Sequence, residues 1–362
     1  MATECFGPVV SIEQVLPGLT DELGLVRLDE AIGFSLAGME KISANRKFQL
    51  CGRGYSSTEL IKQLRAFREI LWGPGTSLTK MERLREEFEV CGASGISGDG
   101  TVFLTGYFEP LVEGSLVREA PFLYPLYQVP VDLVRRDGVI GRLVEGGLVP
   151  YWTRAEIEEQ GVLAGTELVY LDDPVEAFIL QVQGSGRVRL RDGTIRRIQF
   201  GAKNGHPYRS IGKYLVDQGS MTLEEVTLPS LITYLNNNKA QQDIIMRFNE
   251  SFVFFLWGED EISGPLGSLG VPLTPGRSVA LDNECYPPGI PAILSWRGPK
   301  SSDVSEKSFP VTRFVVHQDS GSAIVGSGRL DLFWGGGQDA RDNAGRMKET
   351  GRLYFLVEKS KK

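Results

Sequence analysis

The chain has 362 residues, of which 41% are hydrophobic and 23% charged, a composition that excludes wholesale disorder and suits one large or two ordinary globular domains. Its 39 basic and 46 acidic residues give a net charge of −7, which argues against a dedicated binder of nucleic acid or anionic membranes. Because the only histidines are His206 and His317, sites that need several imidazoles are excluded as well.

The four cysteines and the N-terminus leave the cellular compartment open. Cys5, Cys51, Cys91 and Cys285 lack the C-x-x-C spacing of zinc sites, and the sequence does not tell whether any disulfide forms. No apolar run approaches the roughly 20 residues of a membrane-spanning helix. Residues 1–5 lack the basic and apolar regions of a secretory signal, so both a cytoplasmic protein and the mature form of an exported one fit.

The first hundred residues predict two helices. Ser56 followed by Glu59 fits a capping box, and apolar residues at helical spacing then predict a helix that ends at Gly73-Pro74-Gly75. An apolar stripe among charged residues predicts a second helix over 79–89. The two stripes consist of Leu60, Ile61, Leu64, Phe67 and Leu71, and of Met81, Leu84 and Phe88.

From residue 101 the sequence predicts short strands. Residues 101–108 are β-branched and aromatic, and Asp192-Gly193 between two alternating segments predicts a β-hairpin. Short strands with regular turns are typical of a small barrel or sandwich rather than of βαβ units. The other strands of this block are predicted over 124–129, 168–171, 177–182, 187–190 and 194–200.

Helical sequence returns after Met221, where Thr222 and Glu225 fit another capping box. The chain therefore reads helical, β, helical and β, so the middle β block is a candidate insertion into a domain formed by the two ends. The later apolar face consists of Ile232, Leu235, Ile244, Ile245 and Phe248, and the later strands are predicted over 252–256, 278–281, 292–296, 312–318 and 351–357.

Two segments of the middle block combine the side chains that sugar sites use. Gln183-Gly184-Ser185-Gly186 follows a predicted apolar strand and offers an amide beside backbone that a ligand can approach closely, although an ordinary tight turn explains it equally well. Residues 202–208 combine Lys203, Asn204 and an aromatic ring. Their alternative is a loop that turns at Asn204-Gly205, with His206 in a structural role.

Three aspartates lie at predicted strand ends in the C-terminal part. Asp331 is flanked by large apolar residues, and such surroundings disfavour the charged form and keep a carboxyl protonated as a proton donor. Turn chemistry is the alternative for all three, and it is the favoured interpretation of Asp282. Asp319 follows an apolar strand, and the sequence does not decide between a functional role and turn chemistry for it. Neither a G-x-S-x-G elbow nor a P-loop occurs.

At these residues the sequence resembles the membrane-bound lytic murein transglycosylase A family, whose C-terminal part is a three-aspartate domain. The similar segments occur in family order between about residues 100 and 356. They are LTGYFEP (104–110), VPYWTRAEIE (149–158), FILQVQGSGRVRLRDG (178–193), KNGHPYRSIG (203–212), SFVFF (251–255), LTPGRSVALD (273–282), QDSGSAIVGSGRLDLFWG (318–335) and AGRMKETGRLYFL (344–356).

The resemblance implies a mainly β fold with flanking helices. A double-psi β-barrel catalytic domain would comprise residues 1–104 and 241–362, with the three-aspartate part over about 265–360. A second small β-barrel would be inserted over 105–240. The resemblance also implies the periplasmic side of the cell envelope, with association with the outer membrane. No signal or lipid-anchor motif is visible, since Glu4 and no apolar stretch precede Cys5.

The resemblance further implies a lytic transglycosylase that cleaves the β-1,4 bond between N-acetylmuramic acid and N-acetylglucosamine of peptidoglycan without water. The 6-hydroxyl of the muramyl residue would attack its own anomeric carbon, so a single carboxyl, Asp331, would act as acid and then base, with Asp319 in support. No metal or organic cofactor is implied. The candidate substrate-binding residues are Thr105, Gly106, Tyr107, Gln183, Gly184, Ser185, Gly186, Lys203 and Asn204.

The implied partners are glycan strands of peptidoglycan and complexes of cell-wall synthesis and hydrolysis, with no nucleic acid, and the protein would be a monomer. Two alternatives remain. An inverting glycoside hydrolase would use Asp319 and Asp331 as base and acid, and a non-catalytic module would bind glycan or loosen the wall.

Overall fold

The structure, a computed structural model, describes residues 5–259, 263–298 and 309–359. The chain divides into two compact units. The first comprises Met1–Tyr107, Leu266–Gly335 and Met347–Lys362, and the second Phe108–Pro265 and Gly336–Arg346.

The first unit combines one large sheet with helices from the N-terminal part. Its strands are β1 (Phe6–Val10), β2 (Lys47–Leu50), β3 (Arg53–Ser56), β4 (Phe88–Ala93), β5 (Val102–Glu109), β15 (Ser278–Ala280), β16 (Pro291–Gly298), β17 (Phe309–Asp319), β18 (Arg329–Gly336) and β19 (Lys348–Glu358). Its helices are α1 (Ile12–Val15), α2 (Leu28–Met39), α3 (Ser57–Trp72) and α4 (Ser77–Glu87).

Six strands of this unit close into a barrel. They follow one another in the order β19, β16, β17, β15, β18 and β5, and β19 also pairs with β5, while β4 and β1 extend the sheet beyond β19. Strand β15 pairs in parallel with β17 and antiparallel with β18. The predicted mainly β fold is thereby confirmed, and the double-psi crossover stays a prediction.

The N-terminal helices pack on this sheet because their apolar stripes face it. Helix α3 begins as predicted: Ser56 accepts a hydrogen bond from the backbone of Glu59, whose carboxylate accepts one from the backbone N–H of Ser56. The stripe from Leu60 to Leu71 joins the same buried cluster as β4, β16 and β17. Helix α4 ends at Glu87, two residues before the predicted end, because Phe88 already pairs with β19.

Two disulfides cross-link the first unit. Cys5 next to β1 is bonded to Cys285 in the turn after β15, with 5.4 Å between their Cα atoms. Cys51 in the turn between β2 and β3 is bonded to Cys91 in β4, with a Cα separation of 5.8 Å. Both separations lie within the usual range for disulfides, so the pairing that the sequence left open is now assigned.

The second unit consists of two sheets and several short helices. Its strands are β6 (Leu111–Ser115), β7 (Tyr124–Tyr127), β8 (Leu133–Arg136), β9 (Val139–Val144), β10 (Gly147–Pro150), β11 (Glu167–Leu171), β12 (Gly186–Leu190), β13 (Ile195–Lys203) and β14 (Val253–Trp257). Its helices are α5 (Arg154–Gln160), α6 (Pro174–Gln183), α7 (Ile211–Asp217), α8 (Leu228–Asn237), α9 (Lys239–Arg247) and α10 (Gln338–Arg346).

A six-stranded sheet in the order β14-β13-β12-β6-β11-β7 organises this unit. A bridge between Gln128 and Phe255 links its two edges, because Gln128 directly follows β7 and Phe255 lies in β14. The predicted hairpin at Asp192-Gly193 joins β12 to β13. Since β14 pairs with β13, residues after the predicted boundary at 240 pack with the inserted part of the chain.

Two local predictions in this unit were wrong. Residues 177–182 lie in helix α6 rather than in a strand, because Asp173 caps the helix through the backbone N–H of Val175, Pro174 occupies its first turn and Gly184 ends it with φ of 80°. Thr222 and Glu225 do hydrogen-bond to each other's backbone, but they form a turn. Helix α8 begins six residues later, after Thr227.

Among the residues that the structure describes, no helix is both long and apolar enough to cross a lipid bilayer.

Candidate active site

Asp331 lies inside strand β18 of the first unit, two residues after its start, rather than at a strand end as predicted. Its neighbours Leu330 and Leu332 are fully buried in the core, so the alternation of a strand turns the carboxyl to the opposite face. There the Asp331 side chain keeps 21% of its surface exposed. The carboxyl is therefore held by a rigid element and still reachable by a ligand.

Strand β5 supplies the residues that contact this carboxyl. Thr105 Oγ1 donates a hydrogen bond to Asp331 Oδ1, and the ring of Tyr107 packs against Phe333, with 5.2 Å between the ring centroids. The contacts follow the same order along both strands, since Thr105 meets Asp331 and Tyr107 meets Phe333. The neighbouring strands β5 and β18 therefore run parallel here. Gly106 lies between the two contact residues. Thr105 and Tyr107, predicted as sugar contacts, are thus placed beside the carboxyls.

Asp319 is the last residue of β17 and is separated from Asp331 by strand β15, in which Ala280 is the register partner of both. Tyr107 donates its hydroxyl hydrogen bond to Asp319 Oδ2 at 2.9 Å. The backbone N–H groups of Ser268 and Ser320 donate to Asp319 Oδ1 at 2.9 and 2.8 Å. Both oxygens of Asp319 are therefore engaged.

The two carboxyls and the tyrosine titrate away from their ordinary values. The pKa of Asp331 is raised to about 6, chiefly by burial; Arg329 opposes this rise, and nearby Asp319 adds a smaller contribution to it. Burial also raises the pKa of Asp319, against the effect of its three hydrogen bonds. Burial and the adjacent carboxylates hold the pKa of Tyr107 well above 10, so its hydroxyl stays a donor.

Arg329 is a site residue that the sequence interpretation missed. Its Nη2 lies 3.5 Å from Asp331 Oδ1, and its guanidinium carbon lies 4.9 Å from the ring centroid of Phe103 in β5. The signal was present, since residues two apart in a strand share a face. Thr105 and Arg329 thus both approach Oδ1, which leaves Oδ2 of Asp331 for a substrate.

Asp282 has a structural role, as the favoured interpretation of the sequence predicts. Its Oδ2 accepts a hydrogen bond from the backbone of Gly326 at 2.6 Å, and its Oδ1 accepts one from Glu284 at 2.9 Å. These bonds fix the turn after β15. Among the described residues, no three His, Cys, Asp or Glu side chains cluster as metal ligands.

The remaining candidates lie in the second unit, around the ends of α6 and β13. Gln183 Oε1 accepts a hydrogen bond from the backbone of Phe108 at 3.0 Å, which leaves its amide NH₂ as a donor. Gly184 caps α6, and at Gly186 a side chain would collide with Leu180. The half-buried side chains of Ser185 and Lys203, by contrast, make no hydrogen bond to any residue described.

The prediction that Asn204 contacts the sugar does not fit the structure. Asn204 is 1% exposed, and its NH₂ donates to the carbonyls of Trp152 and Glu250, both at 2.9 Å. Its Oδ1 accepts from the backbone N–H of Phe252 at 2.9 Å and of His206 at 3.3 Å. All of its hydrogen-bonding groups are used to hold the loop.

A carboxyl with a raised pKa that a ligand can reach, held on a barrel strand of a mainly β protein, is suited to general-acid chemistry, and the fold and site therefore indicate an enzyme of that class. Residues 103–256 match the MltA specific insert domain, and residues 277–357 match the 3D domain. The chain belongs to the membrane-bound lytic murein transglycosylase A family, which confirms the resemblance.

Individual relatives agree with this assignment. Membrane-bound lytic murein transglycosylase A of Vibrio cholerae is 34% identical over 262 residues, which cover 71% of this chain and 66% of that protein. The protein of that name in Escherichia coli K12 is 30% identical over 265 residues, with 72% and 67% covered. This chain thus spans about two thirds of these relatives. A membrane-bound lytic murein transglycosylase structure from Agrobacterium tumefaciens superposes with a TM-score of 0.80 at 26% identity, covering 97% of this chain and 98% of that one.

Proposed function

We propose that this protein is a lytic transglycosylase that cleaves the β-1,4 bond between N-acetylmuramic acid and N-acetylglucosamine in peptidoglycan and leaves 1,6-anhydro ends. The observation that carries the proposal is Asp331, a single reachable carboxyl whose pKa is raised to about 6 by burial. A carboxyl of this kind exchanges a proton in both directions near neutral pH. The names of the relatives support the substrate and the reaction class.

In the proposed reaction, Asp331 transfers a proton from Oδ2 to the bridging oxygen while the bond from that oxygen to the anomeric carbon breaks. The resulting carboxylate then takes the proton from the muramyl 6-hydroxyl, whose oxygen forms the new bond to the anomeric carbon. Asp331 thereby returns to its protonated form, and no water enters the balance. The nucleophile belongs to the substrate, which gives it the advantage of an intramolecular reaction.

The hydrogen bonds of Asp319 support this single-carboxyl reaction over hydrolysis. An inverting hydrolase needs a second carboxylate with an oxygen free to activate water. Both oxygens of Asp319 accept hydrogen bonds from within the protein. We therefore assign Asp319 to holding Tyr107 and to raising the proton affinity of Asp331.

Three hydrogen-bond donors of the second unit are the proposed substrate contacts. The NH₂ group of Gln183, the hydroxyl of Ser185 and the ammonium of Lys203 would bind sugar hydroxyls or acidic groups of the peptide. The two disulfides support an oxidising compartment, and we place the enzyme on the periplasmic side of the cell envelope.

The test is mass spectrometry of the soluble products from purified sacculi treated with wild type, Asp331→Asn and Asp243→Asn. Asp243 is an exposed carboxylate on α9 and serves as the matched control. Anhydro-muropeptides from wild type and control, and none from Asp331→Asn, would support the proposal. Reducing ends that contain added water would show hydrolysis, and anhydro products from Asp331→Asn would remove the role of Asp331. Binding without release by any of the three proteins would indicate a binding module.

A further inference from the structure

A pocket of about 890 Å³ lies in the first unit beside the start of β18. Strand β1, residues 94–98 and the loop before β18 form its walls. Gly328 allows this close packing, because a Cβ there would lie 2.6 Å from the backbone nitrogen of Ile96. Apolar side chains line most of the pocket, and they belong to Phe6, Pro8, Ile96, Phe103 and Val325.

Among the described residues that line this pocket, Arg329 is the one that carries a charge. Its guanidinium packs over Phe103 and approaches Asp331 with one nitrogen, while Nη1 is buried without a hydrogen-bond partner among the described residues, although 24% of the side chain stays exposed. A guanidinium has five N–H donors, so Arg329 retains capacity for an anion. Apolar walls with one cation suit a ligand that has both an apolar part and a carboxylate.

The pocket begins two residues before Asp331 on strand β18. Arg329 and Asp331 are two residues apart on the same face of β18, a spacing of about 6.6 Å along a strand. Phe103 and Thr105 of β5 are their respective partners. A ligand whose scissile bond lies at Asp331 can therefore place a substituent in the pocket.

We propose that this pocket is a subsite for an acidic peptide attached to the glycan, with Arg329 as the counter-ion of its carboxylate. The inference rests on the proposed function, in which the glycan carries such peptides. The guanidinium of Arg329 would then interact both with the peptide carboxylate and with Asp331. A carboxylate that engages the guanidinium weakens its attraction to the Asp331 carboxylate, and so favours the protonated acid that the first step needs.

The test compares glycan strands of equal length with their peptides and after enzymatic removal of the peptides. The variants are Arg329→Gln, Val325→Trp, which fills the rim of the pocket at a residue 71% exposed, and Leu78→Trp, a matched control at a residue 77% exposed on α4. We expect wild type and Leu78→Trp to show a KM about tenfold lower for the peptide-bearing strands, and the other two variants to lose most of that difference.

An equal loss on both substrates in Arg329→Gln, with the preference intact in Val325→Trp, would overturn the inference. Isothermal titration calorimetry with a free acidic muramyl tripeptide measures binding to the pocket independently of the cleavage reaction. Binding that is lost in Val325→Trp would support the subsite even if no anhydro product formed from either substrate. Anhydro products without any peptide preference or peptide binding would leave the transglycosylase and remove the subsite.

Discussion

Replacement of Asp331 by asparagine is expected to stabilise the folded protein at neutral pH. Burial raises the pKa of this carboxyl from 3.8 to about 6, so the folded state binds its proton more tightly than the unfolded chain does. Stability therefore falls as the pH rises through the interval between the two values. A difference of about two pKa units corresponds to about 3 kcal/mol at pH 7.5, which an uncharged amide avoids.

The assay is scanning calorimetry of the wild type and Asp331→Asn at pH 7.5 and pH 4. For a chain of this length, about 3 kcal/mol corresponds to a Tm about 4 °C higher in the variant at pH 7.5, and the difference should fall below about 1 °C at pH 4. Asp282→Asn is the matched control, and we expect it to lower the Tm because Asp282 accepts two backbone hydrogen bonds. A Tm of Asp331→Asn at or below that of wild type at pH 7.5 would refute the reasoning.

Three further predictions concern single contacts. Thr105→Val removes a hydrogen-bond donor that stabilises the Asp331 carboxylate, so the pKa of Asp331 should rise. The pH at which kcat/KM falls should then be about one unit higher than in wild type, whereas Thr105→Ser should retain the wild-type profile. Loss of the Cys51–Cys91 disulfide, which spans 40 residues, should cost about 4 kcal/mol, and an unchanged Tm in the double alanine variant would contradict this. Asn204→Ala should lower the free energy of unfolding by about 2 kcal/mol at an unchanged KM, whereas a raised KM at wild-type stability would restore Asn204 as a substrate contact.

Local signals predicted those elements whose pattern does not depend on the rest of the fold. The capping box at Ser56 with its apolar stripe and the turn at Asp192-Gly193 both lie where expected. Residues 177–182 were misassigned because a helix buried on most sides has no polar face, and its periodicity then resembles that of a buried strand. The capping residue Asp173 and Gly184 at the C-terminus were the signals to use.

The contacts of the candidate site, unlike these local elements, could not be predicted from neighbouring residues in the sequence. Family motifs supplied the identities of Asp319 and Asp331, but the contacts depend on strands more than 200 residues apart in the chain. No local pattern predicts that β5 runs beside β18 in a register that places Thr105 against Asp331. Arg329 was predictable in principle, because it shares a strand face with Asp331, yet its packing over Phe103 requires the pairing of β5 with β18 to be known.

The hydrogen bonds around the two carboxyls connect the fold to the proposed chemistry. Both oxygens of Asp319 are occupied, whereas Asp331 has Oδ1 engaged by Thr105 and Arg329 and Oδ2 available. One carboxyl with one available oxygen is sufficient only if the substrate brings its own nucleophile, because activation of water needs a second base. The same burial that destabilises the Asp331 carboxylate keeps its proton near neutral pH. The expected cost in stability and the proposed proton transfer therefore have one physical cause, and Asp331→Asn measures both.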